Sequence, residues 1–240
     1  MILFGNFHFI LVAAAIIPAV ALLIYVYKED RLEKESPGLI IKLVFMGVIS
    51  TLLASLTEQL GMSILESVFY ENSFAYRALL YFVVVALSEE GFKYMVLKLG
   101  SWRNPEFNCK FDGVVYAVAV SLGFALWENI QYVLAYGFST ALIRAVTAVP
   151  GHACFGVLMG AWYGLAKRKE VQGWQSASKL ARLFAVICPA IVHGAYDYIA
   201  TNESDMGTVA FIVFVVIMFV ICFYTVRRLS MGDKYMEDEE

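Results

Sequence analysis

Apolar runs of membrane-spanning length alternate with short polar connections along the whole chain of 240 residues. A hydrocarbon core ~30 Å thick needs about 20 helical residues at ~1.5 Å rise each. Runs of that length fall near 7–27, 39–60, 78–98, 114–136, 141–166, 181–201 and 207–226. The pattern predicts an all-α, polytopic membrane protein with about seven transmembrane helices. The second run has the loosest outer boundary, because Glu58 stands near its end and the polar stretch 66–72 follows. No connection is long enough to fold as a soluble domain. One integral membrane domain over residues 1–240 is therefore expected, with the chemistry-bearing positions in a core of about 78–201.

Composition agrees with the pattern: 60% of residues are hydrophobic and 16% charged, against about 25% charged in ordinary soluble domains. The basic residues are placed unevenly. Lys28, Arg31, Lys34 and Lys42 flank the first connection, Lys98, Arg103 and Lys110 the third, and Lys167, Arg168, Lys169, Lys179 and Arg182 the fifth. Arg227, Arg228 and Lys234 follow the last run, whereas the other set of connections has only Arg77 and Arg144 nearby. The positive-inside rule then puts the N-terminus outside and the acidic tail, Met236 to Glu240, in the cytoplasm. The first run has its basic flank after it, so it reads as a reverse signal-anchor and not as a cleaved signal peptide. A net charge of −3 argues against a nucleic-acid partner. Cys109, Cys154, Cys188 and Cys222 lack CxxC spacing and suggest neither a disulfide framework nor a zinc knuckle.

Six ionisable side chains lie deep inside these apolar runs: Glu89, Glu90, Glu128, His152, His193 and Asp197. On insertion scales a central Asp costs roughly 2.5–3.5 kcal/mol, so such residues are expected to face one another or a water-filled cavity and to be used. Lys93 stands at i+4 from Glu89 and i+3 from Glu90, within reach of an ion pair with either. Two carboxylates sharing one ammonium would hold their protons unequally, which suits one of them to proton transfer. Glu128 has no basic neighbour one turn away and needs a partner from another helix; His152, His193 and Asp197 are the candidates. His193 and Asp197 share a face at i, i+4, where the carboxylate can fix a tautomer, help hold a metal, or orient an oxyanion donor.

Depth permits convergence, since all six fall between the midplane and the outer half of the bilayer. Gly156, Gly160 and Gly164 continue the stripe that begins at His152, a small-xxx-small ladder that lets another helix approach closely. Other intramembrane protease patterns are missing: there is no HExxH, no GxSx elbow in a suitable run and no GxGD, although Tyr196-Asp197 superficially resembles the YD half of that aspartyl pair. His152 and Cys154 point to different faces, which disfavours a thiol nucleophile served by that base.

Several motifs occur in a fixed order: Glu89-Glu90-x-x-Lys93, then Phe111-Asp112-Gly113 leading through Gly123-Phe124 to Glu128-Asn129. Arg144 follows, upstream of Pro150-Gly151-His152, and then His193-x-x-Tyr196-Asp197. In order and spacing, over about residues 86–198, they resemble the PrsW family of intramembrane proteases, distant relatives of type II CAAX prenyl endopeptidases and bacteriocin-immunity proteins. The resemblance implies a multi-pass enzyme of the bacterial cytoplasmic membrane. It would make the first, extracytoplasmic cut in a single-span anti-sigma factor. Where the CAAX relatives usually carry His, this chain has Glu128.

Two mechanisms are open. In one, a divalent metal, zinc first, is held by His152, His193 and Glu128 or Asp197, while Glu89 or Glu90 activates bound water. In the other no metal takes part: Glu89 or Glu90 with Glu128 polarises the water, and His193 with Asp197 stabilises the oxyanion. The absence of three-His or HExxH ligand spacing favours the second. Outside the protease class, the same cluster could serve a proton- or cation-coupled transporter, although no inverted repeat or pair of broken helices is visible. A non-catalytic membrane scaffold would leave the buried charges unexplained.

Overall fold

The structure is a computed structural model that describes residues 2–71 and 73–237, the first nine by backbone alone. The outermost part of the first expected span, the end of the polar stretch at Asn72 and most of the acidic tail lie outside the described side chains. The helices are α1 (Ile2–Glu29), α2 (Pro37–Val68), α3 (Phe74–Leu79), a π-helical stretch (Leu80–Leu87), α4 (Ser88–Ser101) and α5 (Asp112–Tyr136). They are followed by α6 (Phe138–Val146), α7 (Ala148–Val171), α8 (Gln175–Ala200) and α9 (Asp205–Met231). Among the described residues 6 helical stretches are long and apolar enough to cross a membrane. The run expected at 78–98 adds a crossing in pieces, with α3, the π-helical stretch and α4 following one another from Phe74 to Ser101.

Local chemistry explains the boundaries. Ser36 caps α2 by accepting the amide of Leu39, and Pro37 takes the first helical position, where its missing N–H costs nothing. Ser73 and Ser204 cap α3 and α9 in the same way. Gly137, with φ at +88°, stops α5 in a conformation that an L side chain resists. Two expectations need correction. The second helix does not end near residue 60; it runs through Glu58 and Glu66 to Val68. The fifth crossing is not one helix over 141–166, because the backbone breaks at Thr147 between α6 and α7. Pro150 sits in the first turn after the break, where proline is tolerated.

α5 is the hub, packed against α1, α2, α4, α6 and α7. Its contact with α7 runs along the glycine stripe: a Cβ at Gly160 would lie 2.4 Å from Val114 Cα and 2.5 Å from the Gly113 carbonyl oxygen. Such an approach is open only to glycine, and in lipid, where apolar burial drives nothing, close backbone packing is what holds helices together. On the far side of α7, α9 presents Ile212, Val213, Val216, Ile217 and Val220 outward, as a lipid-facing surface should. The four cysteines are all free.

One end of the bundle gathers the segments that carry the basic connections. Asn108 donates to Glu33, Ser36 to Glu106, and the Phe111 amide to Asp233, while Met236 donates its amide to the Asn108 carbonyl. The α1–α2 connection, the α4–α5 connection and the segment after α9 therefore share one face.

Candidate active site

The six residues singled out in the sequence converge on one chamber, supplied by α4, α5, α7 and α8. Glu89 and Glu90 open α4 directly after the π-helical stretch, a rare and locally widened form that recurs at functional sites. That stretch is seated on α8 beside His193: a Cβ at Gly194 would come within 2.6 Å of the Phe82 ring. Pro189 removes one hydrogen bond from α8 a turn before His193, so local helix strain surrounds the site on two elements.

Lys93 is fully buried and bonds Glu90 Oε1 at 2.7 Å and Glu89 Oε2 at 3.0 Å. Its third contact is His152 Nδ1 at 3.2 Å, and the Phe124 ring lies 4.0 Å away. The ammonium has three hydrogens and no lone pair, so His152 must accept at Nδ1. The other ring nitrogen, Nε2, faces Glu128 Oε2 at 2.8 Å, an acceptor, and carries the proton. His152 is thus held between a cation and a carboxylate, one at each ring nitrogen.

Glu128 finds its partners on other helices, as expected, but the second is Arg144 and not His193. The guanidinium lies 2.9 Å from Glu128 Oε2, and its Nε donates to Asn129 Oδ1 at 2.9 Å. Asn129 in turn donates to the Ala15 carbonyl, which anchors the arrangement to α1. Arg144 and His152 straddle the break at Thr147, so the broken helix lets both reach one carboxylate. His193 pairs instead with Glu90 Oε1 at 3.0 Å through Nδ1 and with Asp197 Oδ2 at 3.3 Å through Nε2. Both nitrogens face carboxylate oxygens and are placed to donate, while the ring stacks on Phe155 at 4.5 Å.

A cavity of about 630 Å³ opens onto Glu89, Glu128, His152, His193 and Asp197, together with Arg144 and Glu58. Glu90 and Lys93 do not line it; both are closed behind the front row. A larger cavity of about 830 Å³ at the basic end, beside Lys98, Trp102, Lys167 and Arg182, contains none of the six. Glu58 was missed as a functional candidate. Its Oε1 is buried without a hydrogen-bond partner. Reading the second helix as ending near residue 60 made Glu58 look like a boundary residue, whereas the helix continues to Val68.

The metal set expected from the sequence is regrouped. His152 with Glu128 and His193 with Asp197 form two separate pairs, and the four do not bring their ligand atoms within 4.8 Å of one another among the described residues. The donors that come together are Glu89, Glu90 and His193, one ligand atom from each lying within 4.8 Å of the others. Two carboxylates and an imidazole are of the kind zinc accepts, and Glu90 Oε2 is a buried oxygen with no partner. The residues present fit a metal in kind, with Lys93 as the internal cation on the same carboxylates.

Acids and imidazoles from four helices, lining a cavity inside an all-helical membrane bundle, make this an integral membrane protein with a candidate catalytic chamber inside the bundle. Residues 35–225 match the model of the PrsW family, described as intramembrane metalloproteases. The chain belongs to that family. It is 34% identical to Protease PrsW of Oceanobacillus iheyensis over 220 residues, covering 92% of this chain and 96% of that one. It is 32% identical to Protease PrsW of Clostridioides difficile over 229 residues, 92% of this chain and 90% of the relative. With Protease PrsW of Bacillus subtilis it shares 31% identity over 200 residues, 82% and 85% of the two chains. No solved structure matches. Family membership makes the chain an intramembrane protease and sets aside the transporter and scaffold readings; the relatives named are bacterial.

Proposed function

We propose that this protease makes the first, extracytoplasmic cut in a single-span membrane protein, an anti-sigma factor by class, and that Glu89 is the base that activates water. The observation that carries the reading is the division of the chamber: Glu89, Glu128, His152, His193 and Asp197 share one cavity, whereas Glu90 and Lys93 are sealed behind it. A group that takes a proton from water must reach water. Glu89 does so, with Lys93 bonded to its Oε2 and Glu128 lining the same cavity. The water oxygen attacks the scissile carbonyl while Glu89 accepts its proton. His193, held by Glu90 at Nδ1, shares the Nε2 proton that it points at Asp197 with the developing oxyanion, and Arg144 supplies a second donor at the cavity wall. Glu89 then passes its proton to the leaving amine as the C–N bond breaks. His152 keeps Glu128 in place. When bound, a zinc ion would add Lewis-acid polarisation of water, and Glu89, Glu90 and His193 are the donors that would hold it.

A peptide bond inside a helix is shielded by its own hydrogen bonds, so the preferred substrate segment is extended or locally unwound, next to the membrane helix of its protein. The basic connections all lie at one end of the bundle, which we assign to the cytoplasm. The test is co-expression with a single-span reporter carrying different tags on its two sides. Wild type is expected to release the extracytoplasmic part and Glu89→Gln to release nothing, with both proteins present in the membrane at equal level. Cleavage by Glu89→Gln at the wild-type rate would remove Glu89 from the mechanism.

A further inference from the structure

A second cluster of buried acids lies at the opposite end of α5 from the chamber. Asp30 and Glu35 belong to the connection between α1 and α2, and Asp112 is the first residue of α5. The 16 residues from Asp112 to Glu128 place this cluster about 24 Å along the helix from the chamber at ~1.5 Å per residue. Asp30 and Glu35 are 1% exposed and Asp112 0%. One carboxylate oxygen from each lies within 4.8 Å of the others.

An acidic cluster alone is no site, but these acids are also unsatisfied. Both oxygens of Asp30, Oε1 of Glu35 and Oδ1 of Asp112 are buried with no hydrogen-bond partner. One oxygen on each of two of the acids is used: Tyr116 donates its hydroxyl to Glu35 Oε2, and the Asn108 and Cys109 amides donate to Asp112 Oδ2 at 3.0 and 2.6 Å. The remaining oxygens have no such donor. Lys34, the nearest cation in sequence, spends its ammonium on the main-chain carbonyls of Tyr27, Lys28 and Asp30. None of the three acids is in an ion pair among the described residues. Burial pushes the carboxyl of Asp30 up to about 6 and that of Glu35 up to about 7, a cost that a shared counter-charge would relieve.

We infer that Asp30, Glu35 and Asp112 form a binding site for a hard divalent cation, calcium or magnesium, distinct from the proteolytic chamber. The three ligands are oxygens, with no imidazole among them, which is the donor set of those ions and not of zinc or copper. Bound there, the cation would tie the α1–α2 connection to the head of α5. Asp233, beside Asp112, would join the segment after α9 to the same point.

The experiment uses full-length protein in detergent after treatment with a chelator. Terbium chloride is titrated in while the tyrosines are excited, among them Tyr116, which touches Glu35, and the thermal unfolding midpoint is recorded with calcium chloride, magnesium chloride or neither. Saturable terbium emission is expected, displaced by calcium or magnesium, with a higher midpoint in the displacing ion. Asp30→Asn and Glu35→Gln should each weaken terbium binding by roughly tenfold or more, the scale on which metal sites respond to loss of a supporting group. Glu203→Gln, at the other end of the bundle, should leave it unchanged. Wild type whose midpoint responds to neither ion, or emission of unchanged affinity in both acid variants, would overturn the inference. The wild-type measurements decide the matter even if a variant does not fold, and none of the readouts depends on proteolysis.

Discussion

Glu89 and Glu90 are neighbours with the same chemistry, and their surroundings separate them. Glu90 is sealed, holding both Lys93 and His193, so replacing it by Gln leaves a buried ammonium short of one carboxylate. Breaking a buried pair typically costs about 3–5 kcal/mol. Glu90→Gln is therefore expected to lower the thermal midpoint. Glu89→Gln, whose oxygens meet the cavity, should unfold near the wild-type temperature while losing activity by about 10²–10⁴, the usual share of a general base. Side-by-side melting curves and single-turnover cleavage check this, and a lower midpoint for the Glu89 variant than for the Glu90 variant would contradict it. A graded effect is expected at His193 as well. Asp197→Asn keeps an acceptor for Nε2 and should cost activity about 10–100-fold, whereas His193→Ala removes the donor itself and should cost more. Equal and negligible losses from the two would mark the pair as structural.

At the scale of helices, the site depends on how closely α7 lies on α5. Gly160→Ala places a methyl group against Val114 Cα and the Gly113 carbonyl, backbone atoms that cannot turn aside. Gly91→Ala, between Glu90 and Lys93 in sequence, has nothing within 4 Å of the new Cβ. Both changes raise helix propensity by about 1 kcal/mol. Gly160→Ala should nevertheless lose stability and cleavage, because His152 rides on α7 and the shift would open its 2.8 Å contact with Glu128. Gly91→Ala should hold or gain stability. Thermal unfolding in detergent distinguishes the two, and an equal response would show that the close crossing does not govern the site.

At the scale of the molecule, the segments bearing the basic connections meet at one end, the end of α7 joining them where Lys167 donates to the Trp102 carbonyl and Glu170 accepts from the Trp102 indole, and the α8–α9 connection lies at the other. With that basic end in the cytoplasm, a cysteine placed at position 205 in a variant with Cys109, Cys154, Cys188 and Cys222 replaced should react with an impermeant thiol reagent added to intact cells. One placed at Glu106 should react only after permeabilisation. The opposite pattern would reverse the orientation and exclude an extracytoplasmic first cut.

What the sequence by itself determined is what depends on composition and spacing along single helices. Runs of apolar residues set the helical membrane class, six buried ionisable residues marked the chamber, and the i, i+4 relation of His193 and Asp197 foretold their contact. The glycine stripe after His152 likewise announced a close helix crossing. Tertiary structure alone decided the pairings between helices. Sequence distance carries no information on whether His152 or His193 meets Glu128, and that choice fell to the break at Thr147, which swings Arg144 and His152 onto the same carboxylate. It also decided which of two adjacent glutamates sees the cavity, since a change of one residue rotates a helical side chain by about 100° while only the packing of neighbouring helices fixes where the cavity lies. Glu58 was hidden for a related reason: α2 continues to Val68 and meets the π-helical stretch where Gly61 faces Val84, so Glu58 lies within a packed part of the helix and not at its end.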